Sequence, residues 1–217
     1  MDFIDNTFAV FPALLVAVPV VVQLALGAMG LALVLGLLIA LARISSIRIL
    51  RGVATFYLEV IRGTPLLVQL VYIFFVLPSI GVDIEPVPAG ILGLGLNYAA
   101  YLSEVFRSAI LSVEHGQTEA ALSLGYTPTK TLWKVVIPQS FVVSMAPIGN
   151  YFIAMVKDTA LTSVIAVTEI LKTANILNSQ TFQTTAIYTA AAILYLIISL
   201  PLSRVVVVLE RKARANG

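Results

Sequence analysis

The feature that most constrains this chain is the length of its apolar runs. Leu31–Leu41 reads LALVLGLLIAL, with no polar side chain and no strand-like alternation. A bilayer core about 30 Å thick needs roughly 20 helical residues to cross it. Five segments meet that demand: about Phe11–Ala42, Val53–Leu77, Val87–Leu111, Val135–Val156 and Thr184–Leu209. Backbone polar groups in lipid must be satisfied within the element, so such runs read as helices. An outer-membrane barrel would alternate in polarity every second residue. The expectation is an all-α membrane protein, one transmembrane domain over residues 1–217, with five spans.

Composition supports this. Apolar residues make up 59% of the 217 and charged residues 11%, against about 45–50% and about 25% in an ordinary soluble domain. A soluble enzyme and a disordered chain are therefore disfavoured. With no cysteine and the single histidine His115, no metal site is expected. A formal charge of +2 without a dense basic stripe gives no reason to expect nucleic acid as a partner; membrane lipid is the expected surround. The first run lacks a positive leader and more spans follow it, so it reads as a retained span rather than a signal peptide.

Charge placement sets the expected orientation, because cytoplasmic flanks are rich in Lys and Arg. Arg43, Arg48 and Arg51 follow the first run; Arg107, Lys130 and Lys134 flank the third and fourth; Arg204, Arg211, Lys212 and Arg214 close the chain. Asp2, Asp5, Asp83, Glu85, Asp158 and Glu169 fall on the other side, with Lys157 and Lys172. Five spans then put the amino terminus outside and the carboxyl terminus inside. On the outer side, Leu77–Pro88 reads as irregular chain, and Thr168–Ala174 as a short helix capped by Thr168.

The inner segment 112–137 is long and polar. Its stretch Gly116–Gln139 reads GQTEAALSLGYTPTKTLWKVVIPQ. Thr118–Leu124 favours helix, Gly125 suits a left-handed cap, and Thr127-Pro128 suits an N-cap and first helical position. The expected product is a helix–glycine–helix elbow. Its small Ala120 and Ala121 allow close approach by another protein, with Glu119 at the edge. By spacing and cap chemistry alone it is equally an ordinary connecting loop.

This segment resembles the cytoplasmic EAA loop of ABC import permeases: Glu119, Ala120, Ala121 and Gly125 match that pattern without a gap, and Ile137-Pro138 match its downstream end. The stretches EVIRGTPLLVQL from Glu59, YAAYLSEVFR from Tyr98, GQTEAA from Gly116 and KDTALT from Lys157 extend the likeness to the polar amino acid permeases of the histidine/glutamine/arginine/glutamate group. The likeness departs at Ala160, where the group more often has Ser. The resemblance implies a type I importer permease in a bacterial cytoplasmic (inner) membrane. It implies pairing with an identical or similar permease, two cytoplasmic ABC ATPase subunits that bind ATP and Mg, and an extracytoplasmic amino acid-binding protein. The chain has no Walker A pattern, so the ATPase chemistry is expected elsewhere; this chain is expected to be non-catalytic and to bind no cofactor. A membrane scaffold that recruits a cytoplasmic partner without moving solute is the alternative.

Polar groups inside the spans are the candidate path residues, because ionisable groups at membrane depth usually face protein or water. Glu104 and Arg107 lie three apart on one helical face. Glu104, nearer mid-span, either receives a substrate's α-amino group or basic side chain, or sits in an internal ion pair or an inner-leaflet anchor. Asn97 and Tyr101 extend that stripe outward, and Gln69 and Gln23 are further candidates. Gln69 equally suits repair of backbone bonds freed by Pro65. Glu59, Arg62, Gly63 and Pro65 read as a packed joint near the inner gate. Lys157 and Asp158 at the outer end of the fourth span read as a local pair, helix caps or a receiving surface. Trp133, Tyr72 and Tyr188 read as interfacial aromatics, and His115 as a local contact.

Overall fold

A computed structural model describes the backbone of residues 3–215 and the side chains through residue 208. Asp2 and the side chains of Arg211, Lys212 and Arg214 lie outside the described residues. The described chain is all helix and connecting turn. Helix α1 (Phe3–Leu15) leads into α2 (Val18–Ile44). Helices α3 (Arg48–Gly63) and α4 (Leu66–Val71) follow, then α5 (Pro86–Leu111), α6 (His115–Ser123) and α7 (Pro128–Thr131). Last come α8 (Ile137–Asp158), α9 (Ile170–Thr181) and α10 (Thr184–Ala215).

Among the described residues, three helices are both long and apolar enough to cross a membrane: 18–44, 128–165 and 184–208. The run expected as one span over Val53–Leu77 is instead two helices, 48–63 and 66–80, meeting at 103°. The cause is Thr64-Pro65. Proline disfavours helical backbone in the residue before it, and Thr64 is extended, at φ −116° and ψ 141°. The first apolar run is likewise divided at Val16-Ala17, between α1 and α2.

Helices α2 and α5 form the central seam. Ala25, Ala28, Ala32, Gly36 and Ala40 are buried along α2, and small residues are what let helix backbones approach closely in lipid. A Cβ on Gly36 would lie 3.2 Å from the Ala99 carbonyl oxygen and 3.3 Å from the Ser103 nitrogen. One apolar core gathers around this seam through Leu24, Leu70, Leu94, Leu102 and Met155. A second joins α1, α9 and α10 through Leu14, Ile170, Ala174, Ile187 and Leu194.

The elbow forms as its cap chemistry requires. Gly125 sits at φ 83°. Its N–H donates to the Leu122 carbonyl at 2.9 Å, and the Tyr126 N–H to the Ala121 carbonyl at 3.1 Å, the paired bonds that close a helix through a left-handed residue. Thr127 Oγ1 accepts from the Lys130 N–H at 3.3 Å. The helix expected over Thr118–Leu124 begins earlier, at His115.

On the opposite segment, the helix expected to be capped by Thr168 is capped by Glu169 and runs further, to Thr181. Glu169 is fully buried. It accepts from the Leu171 and Lys172 N–H groups, both at 2.7 Å, and from the Tyr195 hydroxyl at 2.6 Å. A carboxylate offers more acceptor sites than a threonine hydroxyl, and here it also ties α9 to α10. Burial pushes this carboxyl above its ordinary range, while the three donors pull it back.

Candidate functional site: two polar cavities along the bent helix

The bend at Thr64-Pro65 leaves helix-end carbonyls without helical partners. Gln69 repairs it. Its Nε2 donates to the Ile61 carbonyl at 2.7 Å, the Thr64 carbonyl at 3.1 Å and the Thr64 hydroxyl at 2.8 Å. Its Oε1 accepts from Asn97 Nδ2 at 3.1 Å. A second tie runs from the Tyr57 hydroxyl to the Leu96 carbonyl at 2.6 Å. The bent α3–α4 unit is thus pinned to α5 by side chains rather than by apolar packing alone.

Beside the bend lies a cavity of about 470 Å³, lined by Arg62, Asn97, Tyr98, Tyr101, Tyr151 and Asp158 together with the bend residues Thr64, Pro65 and Leu66. The three tyrosines cluster: Tyr98 meets Tyr151 edge-on at 6.2 Å and Tyr101 lies 5.7 Å from Tyr151. Tyr98 donates its hydroxyl to Asp158 Oδ2 at 2.7 Å. That bond leaves the other carboxylate oxygen unengaged by this tyrosine. The Arg62 guanidinium lies over the Tyr101 ring, 5.6 Å from its centre. One cation and one carboxylate therefore line the same aromatic-walled space.

A second cavity, of about 460 Å³, shares Arg62, Gly63 and Tyr101 with the first and adds Arg43, Thr55, Glu59 and Glu104. Glu104 is paired on both sides. Its Oε1 takes Arg43 Nη1, and its Oε2 takes Arg107 Nε at 3.1 Å. A third cavity, of about 420 Å³, runs past Glu104, Ser108, Ser144 and Pro147.

The structure sorts the sequence candidates. Asn97, Tyr101, Arg62, Gly63 and Pro65 gather at the first cavity, together with Asp158. Asp158 engages Tyr98 rather than Lys157, whose side chain is exposed. Glu104 takes the internal ion-pair alternative. Gln69 is buried in the bend, the repair alternative, and touches the cavity region through Asn97. Gln23 is exposed on α2 and lines none of these cavities. Glu59 and Arg62 make no ion pair with each other among the described residues, yet both wall the second cavity. Sequence reasoning missed Tyr98, Tyr151 and the Arg43 contact. Tyr98 stands three before Tyr101 on the same helix, a signal that was available; Arg43 reads from sequence only as a flanking charge.

On the elbow, Glu119 is exposed and meets His115 Nδ1 at 3.0 Å, Ala120 is exposed, and Ala121 is buried. Trp133 and Tyr72 are exposed, and Tyr188 donates to Asn175 Oδ1 at 2.7 Å. Among the described residues, no three His, Cys, Asp or Glu side chains converge in a way that could hold a metal.

Residues 32–215 match the sequence profile of the binding-protein-dependent transport system inner membrane component. The chain belongs to this family. It is 45% identical over 181 residues to the L-cystine transport system permease protein TcyB of Bacillus subtilis, covering 83% of this chain and 77% of that one. It is 37% identical over 207 residues to the glutamine transport system permease protein GlnP of Escherichia coli, covering 91% and 94%. Its fold superposes on the crystal structure of an amino acid ABC transporter with histidines, at a TM-score of 0.89, 36% identity and coverage of 98% and 99%. The inward-facing MetNI methionine transporter, at 18% identity and a TM-score of 0.70, shows the fold alone. The chain is a non-catalytic, multi-pass inner-membrane permease subunit of an ABC importer for polar amino acids, with the type I importer permease fold.

Proposed function

We propose that the aromatic-walled cavity receives the amino acid as a zwitterion, with its ammonium group on Asp158 and its carboxylate on Arg62. The observation that carries this is the pairing of one carboxylate and one guanidinium across a single space of about 470 Å³. Charge-assisted hydrogen bonds at both ends of the ligand are the strong kind, and the tyrosine faces add attraction for an ammonium group. Tyr98 orients Asp158, and Asn97, held by Gln69, fixes the wall between them.

Five spans cross the membrane in this reading. They are the three long helices, the bent α3–α4 pair as one broken span, and α5, whose 26 residues extend about 39 Å. Its polar groups face protein, which lowers its hydropathy without barring it from the bilayer. The amino terminus lies outside and the carboxyl terminus inside. The elbow at 112–137 then projects inward, where Glu119, Ala120, Ala121 and Gly125 meet a cytoplasmic ATPase. A second permease copy or a similar chain and an extracytoplasmic binding protein complete the importer. Closure of the ATPase pair moves the elbow, and the pinned α3–α4–α5 unit moves with α5.

Equilibrium binding of polar amino acids to the purified permease–ATPase complex tests the cavity. Asp158→Asn and Arg62→Gln are each expected to weaken binding by about tenfold to a hundredfold, the loss of one charged hydrogen bond. Unchanged affinity in both variants overturns the assignment.

A further inference from the structure

Asn97 brings a side-chain amide to the lining of the first cavity, and an amide can offer a ligand either its oxygen or its nitrogen. Which end Asn97 offers is decided inside the bend. Thr64 Oγ1 donates its proton to the Val60 carbonyl at 2.9 Å, so toward Gln69 it is an acceptor, as are the Ile61 and Thr64 carbonyls. Three acceptors converge on one end of the Gln69 amide, which fixes that end as the nitrogen; a flipped amide would set oxygen against three oxygens. The opposite end, Oε1, therefore faces Asn97 and accepts from its Nδ2 at 3.1 Å. That bond in turn fixes the Asn97 amide. Its Oδ1 accepts from no other group among the described residues, yet it is not sealed in the core. The sealed side-chain atoms without a partner, among the described residues, are Thr131 Oγ1 and Ser199 Oγ. Asn97 lines the first cavity and neither the second nor the third, so Oδ1 opens onto the first.

We infer that Asn97 Oδ1 determines side-chain specificity, by accepting a hydrogen bond from the side chain of an amino acid held as the zwitterion proposed above, on which this inference rests. Gln69 is the positioning residue that holds the oxygen toward the ligand. The Tyr101 and Tyr151 hydroxyls in the same lining rotate and can donate or accept, so they discriminate little. A locked carbonyl oxygen can only accept. A side chain ending in O–H or N–H satisfies it. A side chain of equal length ending in a methyl group displaces its water and returns nothing. A side chain whose terminal atom only accepts meets oxygen with oxygen. The site thus selects hydrogen-bond polarity at constant size and charge.

The test measures equilibrium binding to the purified permease–ATPase complex without any binding protein. L-Homoserine and L-norvaline have the same heavy-atom skeleton and differ in a terminal hydroxyl against a methyl group. Homoserine is expected to bind about threefold to tenfold more tightly, the worth of one neutral hydrogen bond. O-Methyl-L-homoserine keeps that oxygen as an acceptor only and is expected to bind no more tightly than L-norleucine, its methylene isostere. Asn97→Leu is expected to bring the homoserine-to-norvaline ratio to about one. Gln69→Leu frees the Asn97 amide to turn and is expected to lower the same ratio; general loosening of the bend would weaken both ligands alike and leave the ratio unmoved. Equal binding of homoserine and norvaline to the wild-type complex, which needs no variant to fold, overturns the inference while the zwitterion site stands. An unchanged ratio in Asn97→Leu overturns it as well, and an unchanged ratio in Gln69→Leu removes the positioning role. If none of the four amino acids binds, the zwitterion site falls first and takes the side-chain acceptor with it.

Discussion

Helix α5 has two working faces, and they are built from opposite materials. Toward α2 it offers glycine, alanine and leucine: a Cβ on Gly90 would strike Leu24 at 2.9 Å and one on Gly95 would strike Leu31 at 2.6 Å. The Arg43–Glu104 pair, joined by Arg107, interrupts that seam with charge. Toward α3 and α4 it offers Asn97, the Leu96 carbonyl and Tyr101, which meet Gln69, Tyr57 and Arg62. Apolar seams in lipid gain their stability from close packing, which is distance-critical and holds one geometry. Hydrogen-bonded seams hold discrete partners and can surround water. The first face is suited to a permanent joint and the second to a path for solute, so one helix couples the rigid part of the subunit to its cavities.

The largest expected effect comes from breaking the apolar face. Gly36→Leu places a side chain where α5 backbone atoms stand within 3.3 Å, and backbone cannot step aside as a side-chain tip can. Overpacking of this kind costs about 3 kcal/mol or more. Loss of folded subunit on size-exclusion chromatography is the expected readout; normal yield and melting temperature would show that α2 and α5 separate more easily than their packing implies. A smaller effect is expected from the polar face. Gln69→Leu keeps the volume but strands the Ile61 and Thr64 carbonyls and the Asn97 amide, about 2–3 kcal/mol for buried groups left unsatisfied. The subunit is expected to fold with a melting temperature lowered by several degrees. Amino acid binding is expected to weaken more than Gly36→Ala weakens it, because the wall of the first cavity loses its anchor. Equal binding in the two variants would erase the distinction between the faces.

The contrast also explains what was legible in the sequence. The apolar face is a composition signal, and the runs in 18–44 and 184–208 read directly from it. The α3–α4 bend did not: Pro65 announces a kink, yet the hydropathy of Val53–Leu77 is continuous. Gln69 and Asn97, which brace the 103° bend, lie 28 residues apart and do not announce their contact in the sequence. Glu104 reads as a mid-span acid because one-dimensional sequence does not show that Arg43, 61 residues earlier, returns to its side. Asp158 reads as an end-of-helix charge for the same reason; its tyrosine partner lies 60 residues away. The elbow's turn was legible because its determinants are local, a left-handed glycine and a Thr-Pro cap acting over a few positions, although its first helix begins three residues before the expected Thr118. Glu169 shows the limit even of local signals. The adjacent Thr168 satisfies the same cap rule, and burial against Tyr195 from α10 decides between them.

A third, intermediate effect sharpens that last point. Glu169→Ala removes the acceptor for three donors, two from backbone and one from Tyr195. Loss of a cap alone costs about 1 kcal/mol, and the stranded Tyr195 hydroxyl adds to it. The expected result is a lower melting temperature, restored only in part in the Glu169→Ala/Tyr195→Phe double variant, which removes the unsatisfied hydroxyl but leaves the cap lost. Thr168→Ala is expected to leave the melting temperature unchanged. A larger loss in Thr168→Ala than in Glu169→Ala would return the cap to the residue that sequence favours.

The smallest effect is expected at the elbow, and its smallness is what makes it useful. Gly125 is left-handed at φ 83°, with no atom within 4 Å of a would-be Cβ. Alanine there meets no clash within the subunit and pays only for its backbone conformation, about 1 kcal/mol. Leucine pays nearly the same backbone cost, since open space accepts its side chain too. Within the isolated subunit the two variants are therefore expected to unfold within a degree or so of each other. In the assembled importer they are expected to part. If the elbow sits in a groove of the ATPase, leucine meets the groove wall and alanine does not, so amino acid-stimulated ATP hydrolysis falls sharply for Gly125→Leu and only severalfold at most for Gly125→Ala. Similar hydrolysis and uptake by the two variants would mean that the space beside Gly125 stays empty in the complex, and that the coupling contact lies elsewhere on segment 112–137.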